Sequence, residues 1–254
     1  MSATPGLGTN GQLYTGCAGW SLPRASWPHF PEAGTHLERY AQRLNAAEIN
    51  SSFYRPHQPG TYERWAAAVP PAFRFSVKLP KTITHEKRLL DCAGLLETFL
   101  DQARGLGDRL GCLLVQLPPS LAFKPEVTVP FLADLRRRHS GPVALEARHD
   151  SWFEAQADDL LRVHEVARVL ADPVLFDAGR APGGWHGLVY LRLHGSPRVY
   201  YSSYEGGLLE RLVERIAQES AAADKIWCIF DNTASGAAIE NALYTSRAVA
   251  NRSG

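Results

Sequence analysis

The sequence predicts a single α/β domain, a TIM (β/α)8-type barrel in which helix six is replaced by a loop or short turn. Three observations carry that prediction. Apolar, β-prone runs begin near Tyr14, Ala46, Phe73, Cys112, Val143, Val169, Leu188 and Ile226. Most segments between them repeat apolar residues at helical spacing, and alternating strands and helices imply a parallel sheet. The chain of 254 residues shows no composition break that would divide it, and this length with eight strand–helix units favours a closed barrel over an open doubly wound sheet.

Taken in order, residues 1–12 are Gly/Thr-rich and read as a flexible N-terminal segment before a single domain over 13–250. Gly6 to Gly11 spells GxGxxG, but it precedes the first strand and opens no helix, so it is not a dinucleotide fingerprint. Leu37, Tyr40, Ala41 and Leu44 predict a helix over 35–44; Tyr62, Trp65, Ala66 and Val69 predict one over 61–69. Leu96, Phe99, Leu100 and Ala103 mark a third helix over 89–106, and Leu132 with Leu135 a fourth over 131–138 that ends in a basic turn suited to the helix dipole. The fifth spans 155–166. Residues 172–187 are interrupted by Pro173, Gly179, Pro182, Gly183 and Gly184 and show no helical period. The last two helices lie over 208–220 and 237–249, with Leu209, Leu212 and Ile216, then Ile239 and Leu243, on their apolar stripes.

Strand ends matter most, because the site of such a barrel is built where its strands finish. In 143–152 the apolar run Val143-Ala144-Leu145 turns into Glu146-Ala147-Arg148-His149-Asp150-Ser151-Trp152, with Ala144, Glu146 and Arg148 on one face and His149 on the other. The first strand ends at Trp20, the second presents Glu48 and Asn50 before Tyr54, and the third presents Arg74, Ser76 and Lys78 before His85. The fourth ends at Gln116, the sixth at Asp172, the seventh presents Tyr190, Arg192 and His194, and the eighth closes with Asp231-Asn232-Thr233.

The words GCAGW, EINSSFY, FSVKLPKTITH, LLVQLPP, EARHDSW, LRLHG and FDNTASGAAIENA run in order from about Tyr14 to Leu243. Together they resemble the YecE-like family, a domain of unknown function (DUF72) with a TIM-barrel fold. The resemblance implies the fold and leaves the reaction to be argued from the site. Two positions depart from the family pattern: Cys17-Ala18 stands where a small hydroxyl-bearing pair is usual, and Asp231 where an amide is common.

Formal charge is +1, which indicates no bulk attraction to nucleic acid or anionic membrane. No apolar run reaches membrane-spanning length and no leader-like start is seen, so a cytoplasmic protein is expected. Cys17, Cys92, Cys112 and Cys228 lie far apart without a CxxC, which favours packed thiols. Glu146 beside Arg148 is a candidate base or a structural ion pair. His194 near neutral pH is a candidate proton carrier or a hydrogen-bonded structural histidine. Trp20, Glu48, Asn50, Tyr54, Lys78, His85, Gln116, Arg148, Trp152, Asp172, Arg192 and Asn232 are candidate ligand-binding residues. Lys78, Arg148 and Arg192 crowd the mouth and disfavour a metal, so no metal and no cofactor is expected. The loops after the seventh and eighth strands (Ser196, Arg198, Gly206, Gly207; Asn232 to Gly236) offer N–H groups for an anion, or ordinary helix caps. The expected partner is a small anionic molecule, phosphorylated or carboxylated, handled by metal-independent acid/base chemistry. A nucleic-acid-binding barrel, such as a phosphodiesterase or repair-type enzyme, is a less favoured alternative, as is a non-catalytic ligand-binding protein.

Overall fold

The computed structural model describes residues 11–252, so most of the expected flexible segment, and the GxGxxG word up to Asn10, lie outside the described residues. Strands β1 (Gln12–Ala18), β2 (Ala46–Ile49), β3 (Arg74–Lys78), β4 (Leu110–Gln116) and β5 (Val143–Glu146) pair in sequence order, all parallel. The next segment is split into β6 (Val166–Arg168), which pairs with β5, and β7 (Leu170–Asp172), which pairs with β9 (Leu188–Leu193). β9 pairs with β10 (Lys225–Phe230), and β10 returns to β1. One extended segment, 166–172, thus touches both flanks, and the chain forms a mixed α/β single domain around a nearly closed, barrel-like sheet of ten strands.

Helices α1 (His36–Tyr40), α2 (Pro59–Ala67), α3 (Ala93–Ala103), α4 (Pro125–Arg138), α5 (Ala155–Val163), α6 (Gly206–Glu219) and α7 (Ala237–Arg252) cover the outer face. Three depart from the sequence expectation by four residues or more at one end. α1, capped at its start by a reciprocal box between Thr35 and Glu38, gives way to a turn over 41–43. α3 starts four residues late because Arg88, Leu89 and Asp91 hold positive φ in the turn before it. α4 starts six residues early, with Pro125 in its first turn, where the missing N–H costs nothing.

Between β7 and β9 the described residues form a 3-10 turn, Asp177–Gly179, and the two-residue strand β8 (Gly183–Gly184), antiparallel to β6. Two glycines are required there. A Cβ on Gly184 would lie 2.4 Å from the Val166 carbonyl, and one on Gly183 would meet the Arg168–Asp158 ion pair.

Two apolar layers follow from strand alternation. Outward residues such as Ile49, Val77, Val115, Leu145 and Phe230 join the helices in one large cluster. Inward residues Tyr14, Ala46, Cys112, Leu114, Ala144, Val169, Tyr190 and Trp227 plug the barrel. Trp227 stacks on Tyr14 at 4.8 Å and parallel to Tyr190 at 5.9 Å. Gly111 makes room for it, since a Cβ would sit 2.6 Å from the indole. The plug fills the interior below, so inward residues one layer up face the C-terminal mouth. All four cysteines are free and buried, and among the described residues no helix is long and apolar enough to cross a membrane.

Candidate functional site

Above the aromatic plug the inward face becomes charged. Register explains why the charges meet: Glu48 lies opposite Ser76, Gln116 opposite Glu146, and Arg192 opposite Ile229, two residues before Asp231. Arg192 sits at the centre. Its Nε and Nη2 donate to Glu48 Oε2 and Oε1 at 3.0 and 2.6 Å, its Nη1 to Glu146 Oε2 at 2.9 Å, and its Nη2 pairs with Asp231 Oδ2 at 2.9 Å. The guanidinium therefore fills the space that the three carboxylates surround. Tyr190 donates its hydroxyl hydrogen between Glu48 Oε2, at 2.9 Å, and Ser76 Oγ, at 3.0 Å.

Further contacts carry the same network toward the mouth. His194 lies between two carboxylates, with Nε2 3.0 Å from Glu146 Oε1 and Nδ1 3.1 Å from Asp231 Oδ2. Arg148 donates to Glu146 Oε1 from Nε at 3.0 Å and from Nη2 at 2.8 Å, and Nη2 reaches the Tyr200 hydroxyl at 3.2 Å. Gln116 Nε2 adds a weak contact to the same oxygen at 3.4 Å.

The electrostatics follow from these contacts. Burial works to raise the Glu146 carboxyl, but Arg192, His194 and Arg148 outweigh it and hold that carboxyl well below its usual range. Burial works to lower His194, yet Glu146 and Asp231 raise its imidazole above the ordinary value. Burial lowers the Lys78 ammonium to about 8, with Arg192 adding to the effect and the acids opposing it. Lys78 ends β3 with its nitrogen 4.0 Å from the centre of the Phe53 ring and forms no ion pair among the described residues. His85 packs edge-on against the same ring at 4.9 Å; burial, with Lys78, Arg148 and Arg88, lowers its imidazole.

The structure thus brings Glu48, Lys78, Gln116, Glu146, Arg148, Arg192 and His194 together, with His85 and Phe53 beside them. Asn50 lies just past β2 at the start of a 3-10 turn, Ser51–Phe53, and its Oδ1 is buried without a hydrogen-bond partner among the described residues. The side chains of the other candidates take no part in this network among the described residues. Trp152 is 0% exposed, donates Nε1–H to the Leu121 carbonyl at 2.8 Å and packs on Phe123, so it is core. Trp20 packs against Trp65 and Phe75. Tyr54 is 72% exposed, with its ring edge against Phe53. Asp172 alternates away from the barrel interior beside Ala171; its carbonyl accepts from the His194 N–H at 2.8 Å. Asn232 points outward and donates Nδ2–H to the Ser202 carbonyl and to Asn241 Oδ1, both at 2.9 Å. That bond, with Ser235 Oγ and Ala234 N–H donating to the carbonyls of Tyr201 and Tyr200, ties the loops after β9 and β10 to each other.

Asp231, Tyr190, Ser76 and Tyr200 belong to the network although the candidate set omits them. For Tyr190, Ser76 and Asp231 the signal is alternation: each lies two residues from an inward neighbour. Tyr200 reaches the site from a loop, where alternation gives no guidance.

The pattern in the sequence and this architecture agree with known proteins. Residues 14–254 match the family described as protein of unknown function DUF72. The chain belongs to the DUF72 family. Among relatives, the UPF0759 protein YecE of Escherichia coli K12 is 37% identical over 98 residues, which is 38% of this chain and 36% of that protein. The UPF0759 protein YunF of Bacillus subtilis is 27% identical over 148 residues, 56% of this chain and 52% of that protein. The matched stretches thus span about a third to a half of these curated relatives. Crystal structures of DUF72 proteins share the fold: one from Thermotoga maritima has TM-score 0.77 and 26% identity, covering 93% of this chain and 98% of that one. One from Enterococcus faecalis has TM-score 0.76 and 22% identity, covering 94% and 95%.

Proposed function

We propose that this DUF72 protein is an enzyme that binds a small anionic substrate, phosphorylated or carboxylated, at the C-terminal mouth of a (β/α)8-type barrel whose sixth crossover lacks a long helix. One observation carries the reading: the charges at the mouth do not cancel locally. Glu48, Glu146 and Asp231 are each held by Arg192, and Glu146 and Asp231 also by His194. Lys78 is left without a carboxylate, and Arg148 is the guanidinium nearer solvent. An anion entering the mouth meets both cations where desolvation strengthens the attraction.

The chemistry is acid/base and metal-independent in this reading, because the carboxylate oxygens are already engaged by guanidinium and imidazole hydrogen bonds. His194 is the acid: two carboxylates raise its imidazole and favour the charged form. Glu146 stays ionised and steadies that charge, and the imidazole that has given its proton to the substrate takes one back from solvent.

Thermal denaturation with inorganic phosphate and with panels of phosphorylated and carboxylated metabolites tests the reading, against sodium chloride at equal ionic strength. A ligand at about 100 times its Kd adds about 2.7 kcal/mol and raises Tm visibly. The rise is expected to vanish in Lys78→Met and Arg148→Met. If no phosphorylated or carboxylated compound raises Tm, the anion reading is wrong.

A further inference from the structure

We infer that Lys78 is an imine-forming lysine, whose Nζ condenses with the carbonyl carbon of a carbonyl-bearing anion such as an α-keto acid or a phosphorylated aldose or ketose. The inference rests on the anion reading above and narrows its substrate class.

Four features of the site carry it. Lys78 ends β3 on the inward face, and its backbone is pinned there: the Ser52 hydroxyl donates to the Lys78 carbonyl at 2.6 Å, and the following N–H, of Leu79, donates to the Leu114 carbonyl at 2.9 Å. The ammonium rests over the Phe53 ring at 4.0 Å and not on a carboxylate, so no salt bridge anchors its proton. The carboxylates that could have supplied one, Glu48, Glu146 and Asp231, are bound to Arg192. Arg148 then supplies a fixed cation for the anionic group of the ligand, leaving the lysine nitrogen for its carbonyl. A lysine desolvated beside another cation is the arrangement that frees an amine for nucleophilic attack. With the ammonium lowered to about 8, about one amine in ten is neutral at pH 7, against a few in ten thousand for an ordinary lysine.

The step balances without an oxidant or reductant. The neutral amine attacks the carbonyl carbon, forming a C–N bond while the C=O electron pair moves to oxygen. That oxygen takes up a proton and the nitrogen gives one up, producing a carbinolamine. The C–O bond then breaks, water leaves after a second protonation, and a protonated imine remains. We assign the proton that the nitrogen sheds to the His85 imidazole, which packs edge-on against the same Phe53 ring and is lowered in part by the Lys78 charge.

Reductive trapping tests this. The intact protein is incubated with pyruvate or dihydroxyacetone phosphate and sodium borohydride, digested, and its lysines are mapped by mass spectrometry; lactate and glycerol 3-phosphate, which carry the same anionic groups without a carbonyl, serve as controls. The expected result is an adduct on Lys78 formed at least tenfold faster than on Lys81, Lys87, Lys124 or Lys225. It is expected with at least one carbonyl probe, with neither control, and to be absent in Lys78→Arg. Tm shifts with the same compounds separate the two claims. If pyruvate or dihydroxyacetone phosphate raises Tm but no adduct forms on Lys78, the imine inference is overturned and anion binding stands. If no anion raises Tm and no adduct forms, both fall. Equal labelling of all lysines also overturns the inference.

Discussion

Arg192 is 1% exposed and is compensated by Glu48, Glu146 and Asp231 together, so removal of any one of these charges leaves a buried cation short of a partner. Glu146 is the sharpest case, because the same side chain also accepts from Arg148 and His194. Glu146→Gln keeps the shape, removes the charge and turns one oxygen into an N–H donor facing donors. The expected loss is about 3–5 kcal/mol in urea denaturation, with the His194 imidazole falling toward its ordinary value in an NMR titration. A loss under about 1 kcal/mol would show that the carboxylate is not the charge that holds this network. Sequence alternation already put Glu146, Arg148, Arg192 and His194 on inward faces. It could not show that Arg192 binds three acids at once, because that depends on register between strands far apart in the chain.

At the scale of elements, apolar periodicity located the strands well, since each buries an outward face under helices. It located helix starts less well where the turn chemistry was unusual, as at Arg88–Asp91 before α3 and Pro125 in α4. The aromatic ends of elements misled for a different reason: an aromatic residue next to a strand end suits a binding mouth and a core equally. Trp152 belongs to a 3-10 turn, Asp150–Phe153, whose capping by His149 swings the indole under the loop after β4. Trp152→Ala should therefore act on packing. The expected cost is about 3–5 kcal/mol from the cavity and the unpaired Leu121 carbonyl, seen as a lower urea midpoint. The Kd of any anion found in the thermal screen, measured by calorimetry well below Tm, should stay within about twofold. A tenfold loss of affinity with little loss of stability would return Trp152 to the mouth.

At the scale of the whole molecule, closure joins the ionisable groups of the mouth into one cooperative unit. The segment 166–172 links β5 to β9, and opening the barrel there would hydrate Lys78, Glu146, Arg192 and His194 together. Stability should then depend on pH in two opposed windows. The imidazole of His194, raised above its ordinary 6.5, contributes stability that is full below pH 6.5 and is lost as pH rises through the raised value. Lys78 works the other way. Its folded value of about 8 lies below the ordinary 10.5, so between those limits the unfolded chain binds more protons and stability rises with pH. A shift of about 2.5 pH units at 1.36 kcal/mol each sets an order of magnitude of about 3 kcal/mol. Urea denaturation of the wild type and Lys78→Met at pH 6, 8 and 10 isolates this contribution, because the other titrating groups cancel in the difference. The wild type is expected to gain on the variant by about 2–3 kcal/mol from pH 8 to 10, with a change of under about 0.5 kcal/mol from pH 6 to 8. A flat difference would mean that the Lys78 ammonium is fully solvated, and the amine would then be protonated at neutral pH and unable to attack a carbonyl.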